Sequence, residues 1–256
     1  MTIWALSDPH LAFGVPNKTM ESFGPVWERY AEKIKQHWEE HISPEDLVLI
    51  PGDISWAMHM QEALVDLLWI DALPGSKVIL RGNHDHWWSS LSKLLKVIPP
   101  SITPIQNNAI TWTSASGKRI AIGGSRLWDT PEYTFNSFIE FRENPLARHK
   151  NPEEIASERE NAGKIFAREL ERLRISLSQL DPHADIRIAL THYPPIGPDL
   201  LPSRASEILE QFKIDYCVFG HLHNVRGGTL PFGAARGVKY LFASCDYLHF
   251  VPIRVL

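Results

Sequence analysis

Cysteine is nearly absent from this sequence, with only Cys217 and Cys245 among 256 residues. No Cys-x-x-Cys spacing occurs, which argues against a disulfide framework and against a thiolate metal site. Long apolar runs are missing too: nothing approaches the ~20 consecutive apolar residues that span a bilayer, so a membrane is not an expected partner. Net charge is small, 26 Lys and Arg against 30 Asp and Glu, for a formal balance of -4. That balance offers no general attraction for a polyanion and disfavours nucleic acid and acidic membrane surfaces. No internal repeat, low-complexity stretch or interdomain linker is visible. Only seven residues precede Asp8, too few for a secretory leader, and the expected location is the reducing cytoplasm.

What is present suffices for one sizeable core, at 44% hydrophobic and 22% charged residues, and a single domain over residues 1–256 is expected. Its most informative stretch is Arg81-Gly82-Asn83-His84-Asp85-His86, which directly follows the apolar run Lys77-Val78-Ile79-Leu80. The run reads as a buried strand ending in a polar turn. Four others follow the same plan. Ile3-Trp4-Ala5-Leu6 leads to Asp8-Pro9-His10, Leu47-Val48-Leu49-Ile50 to Gly52-Asp53, Ile186 to Leu190 to His192, and Tyr216-Cys217-Val218-Phe219 to Gly220-His221-Leu222-His223. A solvated loop histidine would explain any one of them. Five sets of metal-binding side chains at the same place on a strand point instead to the crevice beyond the carboxyl ends of a sheet, where α/β folds bind ligands.

The pattern Asp-x-His, Gly-Asp, Gly-Asn-His-Asp, a lone His, then Gly-His-x-His resembles the calcineurin-like metallophosphoesterases over residues 8 to 223, with every core position filled and Pro9 a less usual filler. The resemblance implies an α/β fold of metallophosphoesterase type, a four-layer sandwich of two mixed β-sheets flanked by helices. It implies a phosphohydrolase that cleaves a phosphoester by attack of a hydroxide bridging two divalent metals. One metal would take Asp8, His10 and His223, the other Asn83, His192 and His221, with Asp53 shared. Among these side chains a carboxylate most readily offers one oxygen to each of two metals, which suits Asp53 to the bridge. His84 would stabilise or protonate the leaving oxygen, and Asp85 would orient its ring.

Phosphate esters resist hydrolysis because the attacking oxygen meets a negative group; two metals about 3.5 to 4 Å apart generate hydroxide and neutralise oxygens. Two dications outweigh the charges of Asp8 and Asp53, so the site should attract a phosphate despite the acidic chain. Imidazole and oxygen ligands without sulfur allow manganese, iron or zinc. The expected partner is a small-molecule phosphoester, while nuclease, nucleotide phosphodiesterase, protein phosphatase and phosphomonoesterase activities stay open. The reading from a different class is a binding scaffold on the same fold whose metal site is unused.

Between the motifs, Trp27, Tyr30, Ile34, Trp38 and Ile42 predict a helix from near Pro25, and residues 57–73 predict a second with Leu64, Leu67, Leu68 and Ile70 buried. Trp87 and Trp88 read as a packing cap rather than a stacking platform. Ile105-Gln106, Asn107-Asn108 and Ala109 to Thr113 carry a hairpin signal, and Ser116-Gly117 turns the chain into Arg119 to Ile122, which suggests an antiparallel part of the core. Gly123-Gly124-Ser125-Arg126 reads as a flexible turn, with Arg126 a candidate to hold a substrate phosphate beside its alternative as a surface residue. Residues 129–150, with Tyr133, Phe135, Phe138 and Phe141, form an irregular insertion and a candidate cap that sets substrate choice. Asn151-Pro152-Glu153-Glu154 starts a helix running to Leu180. A short helix at 204–211 and strands at 238–243 and 250–255 close the chain.

Asp53→Asn tests the shared carboxylate: the variant is expected to lose its metals, and full metal occupancy by elemental analysis would count against a bridge at this position.

Overall fold

The computed structural model describes residues 2–15, 17–140, 151–228 and 232–256. Along the chain run β1 (Ile3–Ala5), α1 (Tyr30–His41), β2 (Leu47–Ile50), α2 (Met60–Asp71), β3 (Ser76–Leu80), α3 (Leu91–Leu94), β4 (Ile102–Ile105), β5 (Ala109–Thr113) and β6 (Arg119–Ser125). They are followed by α4 (Pro152–Leu177), β7 (Ile186–Thr191), α5 (Arg204–Gln211), β8 (Tyr216–Phe219), β9 (Ala234–Ala235), β10 (Val238–Phe242) and β11 (Ile253–Arg254). Each of the five apolar runs is a strand.

The runs are mostly apolar because both of their faces are largely buried. In β2, Leu47 and Leu49 enter the layer between the two sheets, while Val48 and Ile50 face the other way and pack with Ile34 and Trp38 of α1 and Leu67 of α2. In β8, Val218 points into the same inter-sheet layer, and Cys217 and Phe219 pack outward with Phe166 of α4 and Ile208 of α5. The result is a four-layer sandwich: helices, five-stranded sheet, six-stranded sheet, helices. The first sheet has the order β11-β1-β2-β3-β4 and the second β5-β6-β7-β8-β10-β9. Both are mixed. β1 to β4 are parallel with β11 antiparallel at one edge; β6, β7, β8 and β10 are parallel, flanked by antiparallel β5 and β9.

Several expectations need correction. The first helix starts at Tyr30 rather than near Pro25, because Pro25–Trp27 form a separate 3-10 turn and Arg29 takes a left-handed φ of 51°. Trp27 and Ile42 are still buried, just outside the helix ends. The second helix, shorter than 57–73, begins after His59, whose N–H is accepted by Glu62 in the first turn (3.1 Å). Its buried face is Ala63, Asp66, Leu67 and Ile70, while Leu64 is half-buried and Leu68 is 54% exposed. The buried Asp66 explains the phase: its carboxylate accepts from Phe13 N (2.8 Å) and from the Ser55 hydroxyl, tying two loops of the site edge to the helix.

The Asn107-Asn108 turn is not a hairpin. It carries the chain from β4, at the edge of the first sheet, to β5 in the second, and the hairpin is β5–β6 around Gly117. The antiparallel part of the core is this β5–β6 pair, at one edge of a sheet that is otherwise largely parallel. Gly123, Gly124 and Ser125 belong to β6, not to a flexible turn, and a Cβ on Gly124 would lie 1.9 Å from Leu190 O of β7. Helix α4 begins as expected, with Asn151 Oδ1 accepting from Glu154 N (2.8 Å), and ends at Leu177 instead of Leu180. At the end of the chain only Ile253–Arg254 pair as a strand. Phe141 and the rest of 141–150 within the expected insertion lie outside the described residues. Among the described residues no helix is long and apolar enough to cross a membrane.

Asp66→Ala leaves the Phe13 N–H and the buried Ser55 hydroxyl without their acceptor, and a stability loss of about 2–4 kcal/mol is expected in urea denaturation. A loss below about 1 kcal/mol would show that Asp66 does not tie these loops.

Candidate metal centre

Parallel strands deliver their carboxyl ends to one edge, and a lone parallel bridge, Ser7↔Ser244, joins the edges of the two sheets. Ser7 N donates to Ala243 O (2.7 Å) and Cys245 N to Ser7 O (3.0 Å). The turns after β1, β2, β3, β7 and β8 consequently meet. Asp8, His10 and His223 offer ligand atoms within 4.8 Å of one another, and so do Asp8, Asp53 and His192.

The remaining donors interlock with these. Asn83 Oδ1 lies 2.7 Å from His192 Nε2 and 3.0 Å from His221 Nδ1. His10 Nε2 is 3.1 Å from His223 Nε2. Asp53 Oδ2 sits between the two sets, 3.6 Å from His10 Nε2 and 3.4 Å from His192 Nε2. All seven ligand candidates are thus in one cluster, lined with oxygen and imidazole nitrogen, a donor set that suits borderline divalent cations.

The packing leaves no room for bulk around these groups. A Cβ on Gly82 would lie 2.0 Å from Asp53 Oδ1, one on Gly220 2.1 Å from Asp8 Oδ2, and one on Gly52 2.5 Å from His192 Nδ1. Glycine is needed at these turns because the ligand atoms occupy the side-chain space. Each carboxylate is anchored by a different turn from its own. Asp8 accepts from His221 N (3.0 and 3.1 Å) and from Ser244 Oγ (2.9 Å), and Asp53 accepts from His84 N (2.8 Å). His192 Nδ1 is fixed by Pro51 O at 3.0 Å.

Burial decides the protonation of these groups, and the neighbours modify it. Burial drives the His10 imidazole down to about 3, which keeps it neutral, and its buried Nδ1 has no hydrogen-bond partner among the described residues. His221 is likewise held well below its usual value by burial, then by His192. Burial also favours the neutral acid in both aspartates. It prevails in Asp8, whose pKa is raised, but in Asp53 the His192, His10 and His84 imidazoles outweigh it and hold the carboxyl well below its usual range. For His223, burial is overcome by Asp246, with help from Asp8 and Asp53, and its pKa rises to about 9.

Asp246 is a residue that sequence reasoning missed. Its Oδ1 takes His223 Nδ1 at 2.9 Å and its Oδ2 takes Asn224 N at 3.1 Å, so it orients a ligand ring from behind. β10 is a sixth strand whose carboxyl end leads to an acidic residue, but its exposed Lys239 and half-buried Leu241 keep it from reading as a fully buried run. Trp56 was missed as well; it stacks on His10 with ring centroids 4.9 Å apart and lies 4.6 Å from His84, forming a wall shared by both.

Asp85 does not orient His84. Its Oδ1 accepts from Ile54 N (2.9 Å), Ser55 N (3.1 Å) and Trp87 Nε1 (3.0 Å), and its Oδ2 from Gly82 N (2.7 Å). The carboxylate is spent on pinning the Asp53 turn to its own, and Trp87, buried as the packing reading expects, helps to hold it. His84 is half-buried, and its ring nitrogens form no hydrogen bond among the described residues. Arg126 is neither at the cluster nor on the surface. Its side chain is 14% exposed, lies 4.5 Å over the Trp128 ring and 3.7 Å from Glu169 Oε1, and only its carbonyl reaches the site, accepting from His192 N at 3.2 Å. Burial lowers its pKa, opposed by Glu169.

A family model described as calcineurin-like phosphoesterase matches residues 1–225. No curated protein matches the chain. Among solved structures, the phosphopantetheinyl hydrolase of Mycobacterium tuberculosis aligns with a TM-score of 0.53 at 15% identity, covering 100% of this chain and 95% of that one. A protein of unknown function from Aquifex aeolicus aligns with a TM-score of 0.47 at 17% identity, covering 99% and 95%.

Asp246→Asn removes the charge behind His223 while keeping its shape. A 10–100-fold weaker affinity for one of the bound metals is expected in a metal titration; unchanged affinity would mean that Asp246 serves packing alone.

Proposed function

This chain belongs to the calcineurin-like phosphoesterases, and from that premise we propose that it hydrolyses a small phosphoester at a dinuclear metal centre. The observation that supports this reading is the single oxygen Asp53 Oδ2 lying within 3.6 Å of a ligand nitrogen from each half of the cluster. Asp8, His10 and His223 would hold one cation and Asn83, His192 and His221 the other, with Asp53 between them. Divalent cations held there acidify water and neutralise phosphate oxygens.

The protein's own residues supply the rest. Asp8 and Asp53, anchored by backbone N–H groups from other turns, keep the ligand atoms in place before substrate arrives, so little reorganisation accompanies reaction. His84, packed against Trp56, carries ring nitrogens that are not engaged by the protein and donates a proton to the leaving oxygen. With Asp85 committed to the backbone, it is Trp56 and the His84 N–H bond to Asp53 that orient this histidine.

The organic part of the substrate takes the cavity of about 290 Å³ beside His221, lined by Trp128, Asp129, Tyr133, Phe135 and Tyr193. Tyr133 donates to Pro194 O at 2.6 Å, which fixes the described part of the 129–150 insertion against the turn that follows His192. An aromatic wall with one carboxylate suits a flat or apolar leaving group carrying a hydrogen-bond donor.

The test is a screen of phosphomonoesters and phosphodiesters with manganese, iron or zinc, and with a chelator as control. His84→Asn is expected to keep both metals and lose on the order of 10² to 10⁴-fold in kcat. The loss should be greater for an alkyl than for a p-nitrophenyl leaving group, which needs less protonation. Near-normal turnover with metals bound removes the proton-donor role. A wild-type protein that binds two metals and hydrolyses no ester is a scaffold.

A further inference from the structure

Beside the metal centre, at the carboxyl ends of β3, β4 and β6 and against α4, a second cavity of about 80 Å³ is lined by Arg81, Gln106, Arg126, Glu169 and Arg172. It is larger than the ~10–15 Å³ that one water requires. Three guanidinium groups face one carboxylate. Glu169, which is buried, accepts from Arg172 Nη1 at 2.6 Å and leaves Arg126 Nη2 at 3.7 Å, beyond hydrogen-bond reach. Arg81 has neither a hydrogen bond nor an ion pair among the described residues. The Nε atoms of Arg81 and Arg126 are both buried without a partner among the described residues.

Buried donors on charged side chains ordinarily find acceptors, and unsatisfied ones point to an absent water or ion. An arginine network built for the fold alone would be matched by carboxylates, and among the described residues only Glu169 lines this cavity. The geometry points to an oxyanion subsite in which Arg81, Arg126 and Arg172 hold a phosphate group other than the one being hydrolysed. A guanidinium presents donors in a planar fork that matches two phosphate oxygens, and a tetrahedral phosphate offers oxygens to several walls at once, as three arginines approaching from different elements require. Gln106 adds to this: its side-chain oxygen accepts from Trp88 Nε1 at 3.1 Å, which leaves its NH₂ as a further donor.

The subsite is coupled to the metal centre by the backbone. Arg81 is two residues before Asn83, so their Cα atoms are at most about 7 Å apart. Arg126 O accepts from both His192 N (3.2 Å) and Tyr193 N (3.0 Å). The substrate class that fits is a small molecule with two separated phosphate groups, one at the metals and one here. Free inorganic phosphate has the same chemistry and is the other source. The substrate arm of this inference rests on the proposed hydrolase activity; the anion site itself does not.

Arg172 is the residue to change, since its side chain is 41% exposed and glutamine in its place keeps an N–H donor for the buried Glu169. On the manganese-loaded protein, two quantities are measured for wild type and Arg172→Gln. One is calorimetric binding of inorganic phosphate; the other is the ratio of kcat/KM for an alkyl bisphosphate over the alkyl monophosphate of the same length. We expect a phosphate-binding step that weakens on the order of ten- to a hundredfold in the variant, as for loss of a charge-assisted hydrogen bond, and a ratio that falls at least tenfold. A weakened phosphate step with an unchanged ratio assigns the site to free phosphate. An unchanged phosphate step and ratio overturn the inference. If wild type hydrolyses no ester yet binds phosphate in an Arg172-dependent way, the hydrolase reading fails and the anion site stands. Arg81→Gln, read by the same two measurements, replaces Arg172→Gln should circular dichroism show that the latter is unfolded.

Discussion

The parallel bridge between Ser7 and Ser244 is the constraint on which the rest of the site depends. Two sheets packed face to face through Leu49, Leu80, Leu190 and Val218 would each have a ligand-bearing edge of their own. The exchange of hydrogen bonds around Ser7 brings those edges into register and sets Asp8, from the first sheet, beside His221, His223 and Asp246, which follow strands of the second. Without this seam the donors would form two half-sites. With it, carboxylates and imidazoles from opposite sheets approach within hydrogen-bonding distance.

Holding them there requires an uncommon backbone. Asp8, His10, Asp53 and His221 have φ values of 59°, 43°, 51° and 74°, in the left-handed region that L-residues seldom adopt. At about 1–2 kcal/mol each, four such residues cost about 4–8 kcal/mol, which is comparable to the net stability of a domain. The surroundings have to over-determine these conformations. They do so with the bonds that run between turns: Asp85 grips Ile54 and Ser55, Asp66 grips Ser55 and Phe13, and Asp8 and Asp53 are tied to the backbone at His221 and His84.

Much of this was legible in the sequence because its signals are local. An apolar run ending in a polar turn is read within ten residues, so five strand ends and their seven donors could be named without knowing which strands pair. Signals that depend on distant partners were not legible. The Asn107-Asn108 turn looks the same whether it joins neighbours in one sheet or crosses between two. Leu68 and Asp66 exchanged places because leucine is ordinarily the buried one, and only the N–H of Phe13, far along the chain, gives Asp66 a reason to be inside. Asp85 adjoins His84 in the chain, but its acceptors are claimed by a turn thirty residues earlier. Asp246 follows a strand whose outer positions are partly exposed, so β10 does not stand out as a fully buried run. Arg81 acquires meaning only from Arg172, on a helix that the sequence places far away.

The reciprocal anchoring of the carboxylates bears on how such a protein can change over evolutionary time. Asp8 and Asp53 are gripped by main-chain amides, so the grip does not depend on which side chains those amides carry. The donor-bearing turns themselves cannot be exchanged one at a time, since each is part of its neighbour's scaffolding. Novelty is therefore channelled outward, into segments such as the one holding Trp128 and Tyr133, where an ancestral reaction can acquire new molecules to act upon while its inorganic heart stays untouched.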